Sequence, residues 1–366
     1  MKNRVFLKIF TLLLVVCTIL IFTACTPTED GNNEPPTHDD ALTSKVVLFI
    51  GDGMGPNHVY NTELYYGESM YFSSFSVKTS VDTNSLSGVT DSSASATAMA
   101  TGERIVNGKV AIKADGSNLV SITELAKSNR YGTGVVTSDD ITGATPAGFS
   151  AHAKSRNNSA EILISQKDAS LDLLLGAGSY SAVYQTMFEE KGWNWVKTYD
   201  QLSLENKRFV ATFENVGYEN GTNEEPTLTE LASYAIDYME ANYPTGYFLM
   251  IEGAKIDKAS HSGNVSEMMK NQLDFSNAIK AVDQKLSATG SGYSLIVTAD
   301  HETGGLQKAN SREEISDSLY TTTNHTDTKV GLYFKSTLTT TPSIINGEQI
   351  LNKEIFLLCK ELLAIN

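Results

Sequence analysis

Three apolar runs in this chain end alike. Val46-Val47-Leu48-Phe49-Ile50 leads into Gly51-Asp52-Gly53, and Tyr247-Phe248-Leu249-Met250-Ile251 into Glu252-Gly253. Residues 293–298 lead into Ala299-Asp300-His301. Such runs lack the alternation of a half-solvated strand and read as strands buried on both faces, the kind found in parallel sheets covered by helices. Ligands of open α/β sheets collect beyond the C-terminal strand ends. One strand-end Asp is often only a helix cap. Three acidic ends, each beside Gly or His, point to carboxylates gathered on one rim.

The segments between these runs carry helix signals. Ser121 and Glu124 form a capping box for a helix reaching Asn129, and Thr145-Pro146 opens another, with proline well placed in the first turn. Thr227 and Glu230 have capping-box spacing for a helix to Asn242. An amphipathic pattern predicts a long helix over 265–286 and a closing helix over 348–364. Residues 134–137, 171–175 and 330–334 read as further strands. No internal repeat is present, and residues 179–226 show no regular pattern. The alternation predicts an α/β fold, a three-layer sandwich with a central, mainly parallel sheet flanked by helices.

The start of the chain reads as a targeting segment. Lys2, Arg4 and Lys8 precede an apolar run over 9–22, of signal-peptide length and short for a spanning helix. Small residues before Cys25 resemble a lipoprotein cleavage site, with Phe22 where a leucine is usual, so residues 1–25 are read as a signal peptide ending in a lipidated Cys25. Residues 26–43 are rich in Pro, Asn, Asp and Glu and form an expected disordered tether. The folded domain is expected over 44–366. The chain has 3 cysteines, of which only Cys359 falls in that domain, so an exported fold would do without disulfides. A net charge of −15 argues against nucleic-acid binding.

Residues 89–102 (Val89-Thr90-Asp91-Ser92 through Gly102) run from polar turn formers into small helix formers closed by glycine. They read as a loop delivering Ser92 to the first turn of a short helix, with Asp91 or Ser92 near the N-cap, where free N–H groups and the dipole suit an anion. By itself such a helix is usually tight packing. The 6 histidines narrow the possibilities. Asp257 and His261 are four apart, on one helical face, at a spacing that suits one cation, and His301 follows Asp300. His325 lies in a Thr/Asn-rich loop, where a lone histidine is usually a surface residue. His152 reads as structural, His58 as a helix-surface residue near the site, and Trp193 and Trp195 as packing residues.

Taken in order, Gly51-Asp52-Gly53-Met54-Gly55, Thr90-Asp91-Ser92-Ser93-Ala94-Ser95-Ala96-Thr97, residues 252–258, Thr298-Ala299-Asp300-His301 and His325-Thr326 resemble the alkaline phosphatase family, over about residues 45–335. The resemblance implies two Zn2+ and one Mg2+. Asp257, His261 and His325 match the ligands of the first zinc. Asp52, Asp300 and His301 match those of the second, completed by Ser92 Oγ. Asp52 also reaches the third site, usually magnesium, with Thr145 and Glu252. Arg156 matches the arginine that clamps the phosphate, and Lys258 a basic residue that contacts it. The implied activity is hydrolysis of small-molecule phosphate monoesters outside the cytoplasm, at the cell surface or secreted, through a phosphoserine. Phosphoryl transfer of this kind depends chiefly on charge neutralisation and in-line positioning.

The sequence departs from the family at Gly143, where members commonly carry an Asp or His that organises the third site. Water, or Asp139 or Asp140 nearby in sequence, is expected to stand in. Only 23 residues separate His301 from His325, so the inserted subdomains of larger relatives are expected to be reduced. An open site with little leaving-group specificity and a homodimer with a weakened interface would follow. The alternatives are a phosphodiesterase or sulfatase of the same superfamily, the latter lacking its Cys/Ser-x-Pro-x-Arg motif here, or a non-catalytic lipoprotein binding phosphate or metal.

Overall fold

The computed structural model describes residues 45–218 and 221–365; the leader, Cys25 and the tether lie outside them. In chain order the strands are β1 (Lys45–Gly51), β2 (Val77–Asp82), β3 (Gly132–Asp140), β4 (Leu173–Ala177), β5 (Trp193–Val196) and β6 (Arg208–Phe213). They continue with β7 (Tyr247–Gly253), β8 (Ser294–Thr298), β9 (Glu302–Thr303), β10 (His325–Thr326), β11 (Val330–Ser336) and β12 (Gln349–Leu351). The helices are α1 (Pro56–Tyr66), α2 (Ser92–Thr101), α3 (Ile122–Ser128), α4 (Ala144–Ser150) and α5 (Ser159–Gln166). After them come α6 (Ala182–Glu189), α7 (Leu228–Asn242), α8 (Lys255–His261), α9 (Val265–Thr289) and α10 (Glu354–Leu362).

Among the described residues, ten strands form one sheet in the order β12-β2-β11-β8-β1-β7-β3-β4-β6-β5. Only β11 runs antiparallel to its neighbours. β1 lies at the centre, parallel to both β7 and β8 and buried along its whole length. Its neighbour in sheet order, β7, is equally buried, which is why both read as unbroken apolar runs.

Two aromatic pairs show how the faces are covered. Phe49 packs edge-on against Phe275 of α9, while Phe248 stacks on Phe149 of α4. Phe49 is paired in register with Ile251, three residues from Phe248, so Phe49 and Phe248 point to opposite faces. α9 therefore covers one face, with α1, α7 and α8 against it, and α4 the other, with α2, α3 and α5 beside it and α10 on α2. The expected three-layer α/β sandwich is present. α2 and α4 approach closely: a Cβ at Gly148 would lie 2.8 Å from Ala96 Cβ.

Three segments differ from expectation. The closing helix spans Glu354–Leu362 only, because Gln349–Leu351 adds strand β12 to the edge beside β2. The strand expected over 171–175 is Leu173–Ala177. The stretch from 179 onward, patternless in sequence, contains α6, β5 and β6, the last two completing the far edge.

Candidate active site

The acidic strand ends converge. Asp52 follows β1, Glu252 lies next to last in β7, and Asp300 follows β8, on three neighbouring parallel strands. The turn after β1 is tied to β8 by Gly53 N–H, which donates to Asp300 Oδ1 (3.0 Å). Gly53 has φ +73°, and a Cβ there would stand 2.9 Å from the Cα, Cβ and Oδ1 of Asp257. Only glycine satisfies both demands.

Two sets of side chains follow from this convergence. In the first, His261 Nε2 lies 3.1 Å from His325 Nε2 and 3.3 Å from Asp257 Oδ1, and His325 Nε2 is 3.7 Å from the same oxygen. In the second, His301 Nε2 lies 3.1 Å from Asp300 Oδ2, 3.6 Å from Asp52 Oδ1 and 3.1 Å from Ser92 Oγ. His301 also groups with Asp257 and His325, and its ring stacks on that of His325 at 3.5 Å between centroids. The sets adjoin.

The local fold orients each imidazole. Nδ1 of His261 is bound to Thr323 O (2.5 Å), Nδ1 of His325 to Thr90 O (2.9 Å) and Nδ1 of His301 to Thr303 Oγ1 (3.1 Å). Thr303 Oγ1 donates to Asp257 Oδ1 (2.5 Å), so it accepts from His301. These contacts occupy each Nδ1 and aim each Nε2 into the cluster, the orientation a metal ligand needs. His325 is held there because β10 pairs with β9, which follows His301 directly.

The cluster is short of positive charge. Burial raises the Asp52 carboxyl well above the usual range, and the charges of Asp300, Asp257 and Glu252 add to the effect. Burial likewise raises Glu252 to about 8. Asp300 would also be raised by burial, but the His301 charge holds it down at about 2. Burial and the charge of His301 lower His325. Three buried atoms, Asp52 Oδ1, Asp300 Oδ2 and Thr145 Oγ1, have no hydrogen-bond partner. A buried acceptor without a donor is costly, and divalent cations would satisfy all three. The mixed Asp/His sets suit zinc, and the oxygen-only corner of Asp52, Thr145 and Glu252 suits magnesium.

Ser92 is the first residue of α2. Asp91 is its N-cap, accepting from Ala94 N–H (2.9 Å). The same carboxylate accepts from Gly108 N–H (2.9 Å) and from Arg156 Nη1 (3.2 Å). Asp91 thus ties the guanidinium to the start of α2, and the Arg156 charge is felt at Asp52 and His301. The helix itself is anchored by Ser95 Oγ, which donates to Asp300 O (2.8 Å).

At the third corner, Thr145 sits in the first turn of α4 and Glu252 Oε2 accepts from Thr137 Oγ1. Lys258 is half exposed and paired with Asp139. Asp140 is engaged elsewhere, by the Thr142 N–H and hydroxyl and by the Tyr180 hydroxyl. Of the two acids near Gly143 in sequence, Asp139 is the one in contact with Lys258.

His58, expected on a helix surface, is fully buried: Nε2 contacts Ser260 Oγ (3.1 Å), and Nδ1 lies 3.9 Å from Glu302 Oε1. It braces α8, which carries Asp257 and His261, against α1. His152 is structural, with Nδ1 on Ala111 O (2.8 Å) and Nε2 near Glu124. Trp193 and Trp195 pack around Phe188. Two contacts escape a reading by motif alone, the hold of Asp91 on Arg156 and the bridge of Thr303 between His301 and Asp257. Their signals are weak: Asp91 adjoins Ser92, and Thr303 stands two residues past His301, in the short strand that follows it.

Comparisons with known proteins identify the family. A family described as Alkaline phosphatase matches residues 43–175 and 183–352. Alkaline phosphatase 3 of Bacillus subtilis is 31% identical over 310 residues, covering 76% of this chain and 65% of its own length. Alkaline phosphatase 4 of the same organism is 30% identical over 320 residues, covering 79% and 68%. The chain therefore spans about two thirds of the length of these relatives. The solved alkaline phosphatase of the Antarctic bacterium TAB5 superposes with a TM-score of 0.75 at 26% identity, covering 89% of this chain and 99% of that one. With the family matched over most of its length, this chain belongs to the alkaline phosphatase family.

Proposed function

We propose that the chain is an exported, metal-dependent phosphomonoesterase that works through a phosphoserine at Ser92. The observation that carries the reading is the position of Ser92 Oγ, at the N-terminus of α2 and 3.1 Å from His301 Nε2. His301 groups both with Asp257 and His325 and with Asp52 and Asp300. The family membership and the three unpartnered oxygens at the cluster support the same reading. Zinc held by Asp257, His261 and His325 and by Asp52, Asp300, His301 and Ser92, with magnesium at Asp52, Thr145 and Glu252, would neutralise phosphoryl charge and lower the pKa of the serine.

The chain's own groups supply the rest. Arg156, held by Asp91, offers a planar fork to two phosphoryl oxygens. Ser92 Oγ gives up its proton and bonds to phosphorus while the bond to the leaving oxygen breaks, and that oxygen takes up a proton. Water then adds to phosphorus, the Ser92 Oγ–P bond breaks, and inorganic phosphate leaves with the serine restored. The N–H groups at the start of α2 favour the anion throughout. The leader read from the sequence would carry this chemistry outside the cytoplasm, with Cys25 as the candidate lipid anchor.

Trapping at low pH tests the reading. Wild-type protein incubated with a phosphate monoester should carry one phosphoryl group on Ser92, and Ser92→Ala none; labelling retained in Ser92→Ala would sink the assignment. Rates on p-nitrophenyl phosphate, its methyl diester and the sulfate separate a monoesterase from the diesterase and sulfatase alternatives.

A further inference from the structure

The row of acidic strand ends does not stop at three. β8, β1, β7 and β3 lie side by side and parallel, and their C-terminal ends present Asp300, Asp52, Glu252 and Asp139 in that order. The first three belong to the site described above. Asp139 has no role there beyond its contact with Lys258, yet the end of β3 is shaped around it.

The pairing of β3 with β4 slips at this point: Val136 faces Leu175, whereas Asp140 faces Ala177. An irregularity of this kind frees residues from the ladder and re-aims side chains. Asp139 N–H turns back onto Thr137 Oγ1 (2.9 Å), the hydroxyl that donates to Glu252. Gly176 of β4 makes room, since a Cβ there would lie 2.7 Å from Asp139 O and 2.6 Å from Thr137 Cγ2. The carboxylate then comes to rest beside Gly143, where a Cβ would stand 3.5 Å from Asp139 Oδ2. It lies in contact with the space that a larger residue at 143 would fill. Lys258 Nζ fixes the other oxygen, Oδ1.

A second, independent observation points to a cation. Thr145 Oγ1, buried at this corner, has no hydrogen-bond partner, and neither does the buried Asp52 Oδ1, which lies 3.6 Å from His301 Nε2. The negative charge of Asp139 also acts on Glu252. Every donor here is a carboxylate or hydroxyl oxygen, a hard set that favours Mg2+ over metals preferring nitrogen.

We propose that Asp139 is the specificity-determining acid of this corner: it takes the place of a side chain at position 143 and holds Mg2+ there with Asp52, Thr145 and Glu252, while Lys258 keeps it in position. The inference rests on the metal-dependent reading above only in requiring a cation at the corner. Its test does not depend on turnover.

Zinc-loaded wild-type, Asp139→Asn and Asp139→Ala proteins are titrated with Mg2+ by calorimetry, and zinc content is measured by mass spectrometry. The expected result is one Mg2+ per wild-type chain and binding at least about 10-fold weaker in both variants, with zinc content unchanged. Equal Mg2+ affinity in Asp139→Ala overturns the proposal. So does loss of zinc together with magnesium, which would mark a general structural role. Failure of the phosphomonoesterase reading would show separately, as a wild-type protein that binds Mg2+ through Asp139 but hydrolyses nothing.

Discussion

At the scale of single residues, Asp91 joins the nucleophile to the phosphate clamp. One carboxylate caps α2 and anchors Arg156. Asp91→Ala removes both functions: losing the cap should cost about 1 kcal/mol of stability, read as a lower midpoint in urea. Asp91→Asn keeps a side chain able to cap but loses the ionic hold on Arg156. Its expected signature is near wild-type stability with inorganic phosphate binding about 10-fold weaker. Wild-type phosphate affinity in Asp91→Asn would show that Arg156 needs no such anchor. His58 and Asp139 mark the limit of what single residues reveal in sequence. A histidine on a helix reads as exposed unless the partner helix is known, and α8, which buries His58, lies about two hundred residues downstream. Gly143 was visible as a gap, but only the slip between β3 and β4 shows which neighbouring acid faces it.

At the scale of elements, the meeting of α2 and α4 sets the distance between Ser92 and Thr145. Ala96 and Gly148 let the two helices touch. Gly148→Ala forces them apart and should cost about 1–3 kcal/mol, with a fall in turnover larger than that of a surface substitution of equal stability cost. Unchanged turnover would mean that the spacing of the helices has slack. The central elements were legible in sequence because β1, β7 and β8 are buried on both faces, so their composition alone marks them, and the acids at their ends marked the rim. The edges were not. β5 has only 4 residues, and β5 and β6 carry Trp193, Trp195 and Arg208, whose apolar bodies and polar tips blur the pattern. β12 runs almost directly into α10, so Ile350 and Leu351 extend the helical period by accident.

At the scale of the whole molecule, pH and metal act on stability together. In the metal-free protein Glu252 titrates near 8 and Asp52 is raised as well. From about pH 5 to 8 the folded chain then holds protons that the unfolded chain has released, so stability declines as pH rises. His58 works in the opposite sense. Burial lowers it to about 3, so below about pH 6.5 the unfolded chain takes up a proton that the folded chain refuses, and stability falls on acidification. Cations in the cluster cancel the first effect and leave the second. The melting-temperature gap between metal-loaded and chelator-treated protein should therefore widen from about pH 5 to about pH 8, and a constant gap would contradict the charge balance described here. The order of strands also has a consequence for how the chain is made. β1 lies at the centre of the sheet, but its neighbours β7 and β8 begin at Tyr247 and Ser294. At translation rates of about 5–20 residues per second, this fully buried strand of the nascent protein waits on the order of ten to forty seconds before either partner exists. Sequence-distant pairing of this kind folds slowly, so an unpaired β1 is where a holding chaperone would act before the sheet can close.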